Sequence, residues 1–227
     1  MQRQALWSRP WAFLARQHPS ALLLFAQLLS LLIYPSMDDT SSGRLLFGAV
    51  AVVVVPLAVW VVNSSRAVRW VAWLLAIPAI LLTAVGVLLD YPGLLPVSAA
   101  MEAALYFYAA GSLIAYMLHD HDVSADELFA AGATFTLLAW GFAYAFFVCQ
   151  AIYPDSFYGI VEPERPRRWL ELLYLSFSSL SATGLSDIVP LGSPARVLVM
   201  LEQFAGVGYI ATVVSRLIGL TIMRHRG

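Results

Sequence analysis

A chain of 227 residues that is 60% hydrophobic and only 12% charged, with mean hydropathy +0.77, lies far from soluble domains, in which roughly a quarter of residues are charged. Its formal net charge of −1 and the lack of any basic run argue against a nucleic-acid face. Cys149 is the only cysteine, which excludes an intramolecular disulfide and argues against a Cys-based metal site; a small buried hydrophobe is its expected role.

Residues 1–19 carry Trp7, Trp11, Arg3, Arg9 and Arg16 ahead of the first apolar run. No A-x-A-like cleavage site follows before Asp38, so the stretch reads as an interfacial segment and not as a signal peptide. Spanning a bilayer takes about 20 mostly apolar residues. Candidate spans fall at about 20–35, 44–62, 69–89 and 97–118. The first ends at Pro35 and MDDTSSG, the second contains Pro56, which membrane helices tolerate, and the third closes at the turn signal DYPG, Asp90 to Gly93. The polar run HDHDVSADE ends the fourth. Ser124 and Glu127 have capping-box spacing and start a fifth span reaching about Ile152, and a sixth runs about 193–222.

Between the fifth and sixth spans lies PERPRRWLELLYLSFSSLSATGLSDIVPLGS. Pro166 followed by Arg167–Ser181 predicts a short helix, too short to cross a membrane, leading into the polar stretch LSATGLSDIVP. A short helix, a Gly-containing polar strand and a return make the pattern of a re-entrant loop. Non-helical backbone at membrane depth is tolerated only inside protein or beside a water-filled cavity. The expected fold is therefore all-α and integral to the membrane: six transmembrane helices with a re-entrant pore helix and filter between helices five and six. Its expected parts are the interfacial segment 1–19, a four-helix domain 20–118, and a pore domain 119–227. Arginines at both ends and in the second loop share one side of that topology, which places both termini in the cytoplasm of a multi-pass plasma-membrane protein.

The run from Tyr174 through Ser178, Ala182, Thr183, Gly184, Leu185, Ser186 and Asp187 to Pro190 resembles the pore helix and selectivity filter of the tetrameric potassium-channel superfamily. The usual form there is Y-F-S-F-x-T-L-T-T-V-G-Y-G-D-I-x-P, and the likeness covers about 125–222. The resemblance implies a homotetramer in a prokaryotic membrane that conducts potassium or sodium and needs no other cofactor, metal or nucleic-acid partner. The ion filter would be Ala182–Ser186, with Asp187 at the outer mouth and Gly206 and Gly208 as a gating hinge. Ala211 and Ser215 would line the pore, and Glu202, Ser178 and Tyr174 would support the filter. The departures are specific. The family's T-V-G-Y-G becomes Ala-Thr-Gly-Leu-Ser, so Ser186 stands where a second glycine is usual. A filter of this kind presents rings of carbonyls that replace an ion's hydration shell, and glycine adopts the necessary conformations most cheaply. Conduction without strict potassium selectivity is the consequence. The single glycine is also similar to the pore loops of the Trk/Ktr/HKT potassium-uptake proteins.

Other features narrow the function. The fourth span carries no arginine, so it extracts no energy from the transmembrane field and is not a conventional voltage sensor. Glu202 and Glu102 are intramembrane carboxyls: a filter-supporting bond or a place in the permeation path is expected for the first, a paired or snorkelled group for the second. Asp187 has a second reading as a salt-bridge partner of Arg167 or Arg168. His119 and His121 sit in what reads as a solvated loop, placed to pull on the fifth helix if protons gate it. No nucleophile–base pair suggests an enzyme, and the short end MRHRG suggests no ligand-sensing domain. The alternatives to a channel are a non-conducting scaffold or sensor with a degenerate pore loop, and a Trk/Ktr-like uptake subunit.

Overall fold

The computed structural model describes residues 19–33, 66–89, 91–119, 125–216 and 218–219. Along them run α1 (Pro19–Ile33), α2 (Arg66–Leu88), α3 (Leu95–His119), α4 (Ala125–Ile152), β1 (Phe157–Gly159), α5 (Trp169–Leu180), β2 (Ile188–Pro190) and α6 (Ser193–Tyr209). Three described helices are long and apolar enough to cross a membrane: Leu95–Leu118, Asp126–Ile152 and Ser193–Val214. Pro19–Ile33 and Trp70–Gly86 are apolar but shorter. The interfacial segment, the second candidate span, the loop bearing His121 and Ser124, and the terminal arginines Arg224 and Arg226 lie outside the described residues.

α4 is the central helix. α3 packs along it, α2 packs on α3, α1 lies against α4, and α5 is wedged between α4 and α6. A helix apolar on every side must be buried or lipid-facing, and α4 is both long and apolar throughout, with Asp126 and Glu127 in its first turn. Asp126 also serves a neighbour: its carboxylate accepts the Ser20 N–H at 3.1 Å and the Ser20 hydroxyl at 2.9 Å. A carboxylate at a helix N-terminus satisfies open N–H groups and complements the dipole, so the first turn of α1 is tied to the first turn of α4. Higher up, Leu24 fills the space over Gly132.

The expected turn at 90–93 appears as a tight reversal: Tyr91 N–H donates to Gly86 O, and a single 3₁₀ turn, Pro92–Leu94, leads into α3. Glu102, inside α3, is buried and paired, accepting a bond from Thr83 of α2 at 3.2 Å and another from Tyr144 of α4. The free Cys149 is buried in the core.

Candidate functional site: the short helix α5, its loop and α6

The short helix begins later than its sequence suggests. α5 starts at Trp169, not Arg167, because two side-chain bonds hold Arg167 outside it. Gln150, near the end of α4, accepts the Arg167 N–H through Oε1 at 2.8 Å and donates from Nε2 to Arg167 O at 3.0 Å. Arg168 is extended, and the Glu171 carboxylate accepts its N–H at 2.6 Å, closing the first turn.

Arg167 was one expected partner of Asp187. Instead its guanidinium, 2% exposed, turns into the loop 161–165 and donates to the carbonyls of Val161, Glu162, Pro163 and Arg165. Arg165 takes the carboxylates, binding Glu171 through both terminal nitrogens at 2.8 Å and pairing with Glu162. This is a bidentate fork on one carboxylate, the strong form of the interaction. Burial pushes the Glu171 carboxyl up, but the Arg165 bond and the Arg168 N–H outweigh it and hold it below its ordinary value. Glu162 is held low by its bond to Arg165, and Arg165 is raised by Glu171 and Glu162. Carboxyls lowered in the folded state contribute stability that is present above the ordinary glutamate value of about 4.3 and lost as pH falls through the lowered values. Fluorescence of Trp169, at the start of α5, is therefore expected to hold steady from pH 7 to 5 and to change below about pH 4.

After α5 the chain turns back on its own helix. Ser181 N–H donates to Phe177 O, Ala182 N–H to Ser179 O at 3.1 Å, and both Thr183 and Gly184 N–H to Ser178 O at 3.1 and 3.2 Å. The Thr183 and Ser181 hydroxyls reach the same Ser178 carbonyl at 3.3 Å. Support from Ser178 thus comes from its main chain. With no cis peptide present, each carbonyl lies opposite the N–H of the next residue. The carbonyls of Ser181, Ala182 and Thr183 therefore all project away from α5, toward the open side of the loop. Ala182 and Gly184 achieve this with φ of +58° and +68°, while Thr183 between them is ordinary.

The left-handed region costs an L-residue about 1–2 kcal/mol, so Ala182 carries strain that Gly184 does not. Ala182→Gly is expected to raise the melting temperature of the purified protein, and Gly184→Ala to lower it by a comparable amount; equal effects of one sign would contradict this backbone geometry.

Beyond the loop, Ser186 Oγ accepts the Ile188 N–H at 3.1 Å and Asp187 O accepts the Ile160 N–H at 3.1 Å. The second bond abuts the two-stranded β1–β2 ladder, in which Gly159 faces Ile188. The Asp187 side chain is exposed, as are Leu185 and Tyr174.

α6 turns one face inward at helical spacing: Glu202, Gly206, Tyr209 and Val213 are buried, whereas Gly208, Ala211 and Ser215 are exposed. Gly206 lies against the end of α5, where an added Cβ would come within 2.0 Å of Leu180 O. Nothing lies within 4 Å of such an atom at Gly208. One turn earlier, Ser176 Oγ lies 2.7 Å from Ala139 O of α4 and also contacts Glu202 Oε1. Tyr209 hydroxyl donates to Ala131 O at 2.5 Å. Directly after Tyr209 the helix widens to a π-helical segment, Ile210–Val214; such segments are rare and concentrate at functional positions.

Sequence reasoning missed Ser176, the Gln150–Arg167 clamp and the Arg165–Glu171 fork. Ser176 offered a faint signal, as a serine four residues before the end of α5. The other pairs are joined only by the fold.

The site thus consists of a short helix wedged between two long apolar helices, followed by a loop whose carbonyls face away from it. Residues 132–222 match the family described as ion channel. No curated protein and no solved structure matches the chain.

Proposed function

We propose that four copies of this chain surround one axis as a homotetrameric cation channel of the plasma membrane, with both termini cytoplasmic and α5 entering the membrane as a re-entrant pore helix. It conducts potassium and discriminates only weakly against sodium. Its filter is Ala182–Ser186, and Asp187 raises the cation concentration at the outer mouth. Gly208, Ala211 and Ser215 line the cavity below, and the inner helix bends around Gly208 and the π-helical segment that follows it. Gating does not use a conventional voltage sensor.

The observation that supports this reading best is the row of three carbonyls, Ser181 to Thr183, projecting to the open side of the loop. Carbonyl dipoles arranged as fourfold rings would replace the hydration shell of an alkali cation. The C-terminal end of α5, with its partial negative charge, adds to the attraction. Weak selectivity follows from Ser186, whose hydroxyl is engaged with Ile188 N–H where a second glycine is usual. The test is the reversal potential in planar bilayers with potassium on one side and sodium on the other. A value displaced only part of the way toward the potassium equilibrium potential is expected. Full displacement would mean that one glycine suffices for a selective filter. Absence of current at every voltage and pH would favour a scaffold with a degenerate loop, and transport without unitary currents would favour an uptake subunit.

A further inference from the structure

The joint between α4, α5 and α6 contains one hydroxyl with two oxygen neighbours. Ser176 Oγ lies 2.7 Å from Ala139 O and contacts Glu202 Oε1, and both side chains are fully buried. A serine hydroxyl carries one hydrogen and a main-chain carbonyl carries none. Both contacts are hydrogen bonds only if the carboxyl brings the second hydrogen: Ser176 then donates to Ala139 O, and Glu202 donates to Ser176 Oγ. The other carboxyl oxygen, Oε2, has no hydrogen-bond partner among the described residues. An ionised carboxylate with one oxygen unpaired in an apolar interior is costly, whereas a neutral acid is far less so.

Among the described residues, no cation is bonded to Glu202. On α5, the titratable Glu171 is held by Arg165, and Tyr174 is exposed. On α6, Tyr209 donates to Ala131 O. From α4 the group in the joint is the neutral carbonyl of Ala139.

We propose that Glu202 is present as the neutral carboxylic acid and that its proton closes the chain Glu202 to Ser176 to Ala139 O, clamping the pore helix between the outer and inner helices. Glu202 is thus a positioning residue for the filter. Removing the proton leaves a carboxylate and a carbonyl competing for the single serine hydrogen, and places a negative charge behind α5. The contact one turn on, Gly206 against Leu180 O, then loses its neighbouring support. Current falls as pH rises, by about tenfold per pH unit above the midpoint, in step with the protonated fraction. This last consequence rests on the channel reading above; the proton itself does not.

Infrared difference spectroscopy in lipid nanodiscs tests the proton directly. The spectrum of the wild type minus E202Q is expected to show the carbonyl stretch of a protonated carboxylic acid, sensitive to deuterium oxide and bleached at alkaline pH. S176A, a small change in a helix, is expected to shift that band by removing its acceptor, and provides the comparison if E202Q does not fold. Bilayer currents then read the consequence: the wild type closes toward high pH, and E202Q, which keeps an N–H donor for Ser176, does not. No acid band from Glu202, or an alkaline fall in current unchanged in E202Q, overturns the proposal. A clear band in a protein that passes no current at any pH keeps the proton and sinks the channel reading instead.

Discussion

Gly206→Val is expected to prevent α5 and α6 from packing, whereas Gly208→Ala, two residues away, leaves the fold intact. The two glycines look equivalent in sequence but meet different surroundings. At Gly206 a Cβ would stand 2.0 Å from Leu180 O and 2.8 Å from Leu180 C. These are backbone atoms at the end of α5 and cannot rotate aside as a side chain would. Overpacking a tight interior costs about 1–3 kcal/mol, and more where backbone must move. Valine adds a branched side chain at that point, so the upper end of the range applies. At Gly208 nothing lies within 4 Å, and replacing a helical glycine by alanine stabilises the helix by about 0.5–1 kcal/mol. The check is tryptophan-fluorescence melting with gel filtration of both variants. A large fall in melting temperature is expected for Gly206→Val and none for Gly208→Ala; the reverse order would mean that Gly206 has freedom the packing denies it. Conduction changes in Gly208→Ala, with folding unaltered, would locate bending at the second glycine and the π-helical segment beyond it.

The contrast between these glycines shows what a sequence can and cannot carry. Long apolar runs read directly as α3, α4 and α6 because hydrocarbon thickness fixes their length. The short helix between α4 and α6 was legible from its proline start and its length. Its first residue was not, because the bonds that hold Arg167 outside the helix come from Gln150, seventeen positions earlier. One of two readings of Asp187 paired it with Arg167 or Arg168, yet Arg167 serves four carbonyls of its own loop. Nothing in local spacing distinguishes an arginine that binds a carboxylate from one that binds backbone. The loop 182–186 drew attention through its residue types, whereas its carbonyl directions required the bonds to Ser178 O. Ser176 and Glu202, on different helices, become informative only when one hydroxyl is seen between two acceptors.

Arg167→Met is expected to unravel the loop between α4 and α5, with a larger loss of stability than substitution of either exposed neighbour, Glu162 or Arg168. The guanidinium is buried and donates to carbonyls of Val161, Glu162, Pro163 and Arg165. That loop contains three prolines, Pro154, Pro163 and Pro166, which donate no N–H, and Glu162 at φ +50°, so its carbonyls have few main-chain partners of their own. Methionine fills similar volume but donates nothing. Each buried polar group stripped of its partner costs about 1–3 kcal/mol, with hydrogen bonds to charged groups at the upper end. The four carbonyls belong to exposed or half-exposed residues that water can reach, so a loss of about 1–3 kcal/mol is expected. The loop also accommodates Arg167 by steric design: a Cβ at Gly159 would come 2.1 Å from Arg167 Nη1. Gly159→Ala should therefore be destabilising in the wild type and less so in the Arg167→Met background, where Nη1 is gone and Ile188 Cδ1, 3.1 Å from the added Cβ, remains. Non-additivity of that sign in a double-mutant cycle, read by thermal melting, is the signature of a direct contact. Strict additivity would show that Arg167 does not occupy the space behind Gly159. The two bonds from Gln150 go to the main chain of residue 167 and survive the substitution, so the damage is expected in the loop ahead of α5 and not at the start of the helix itself.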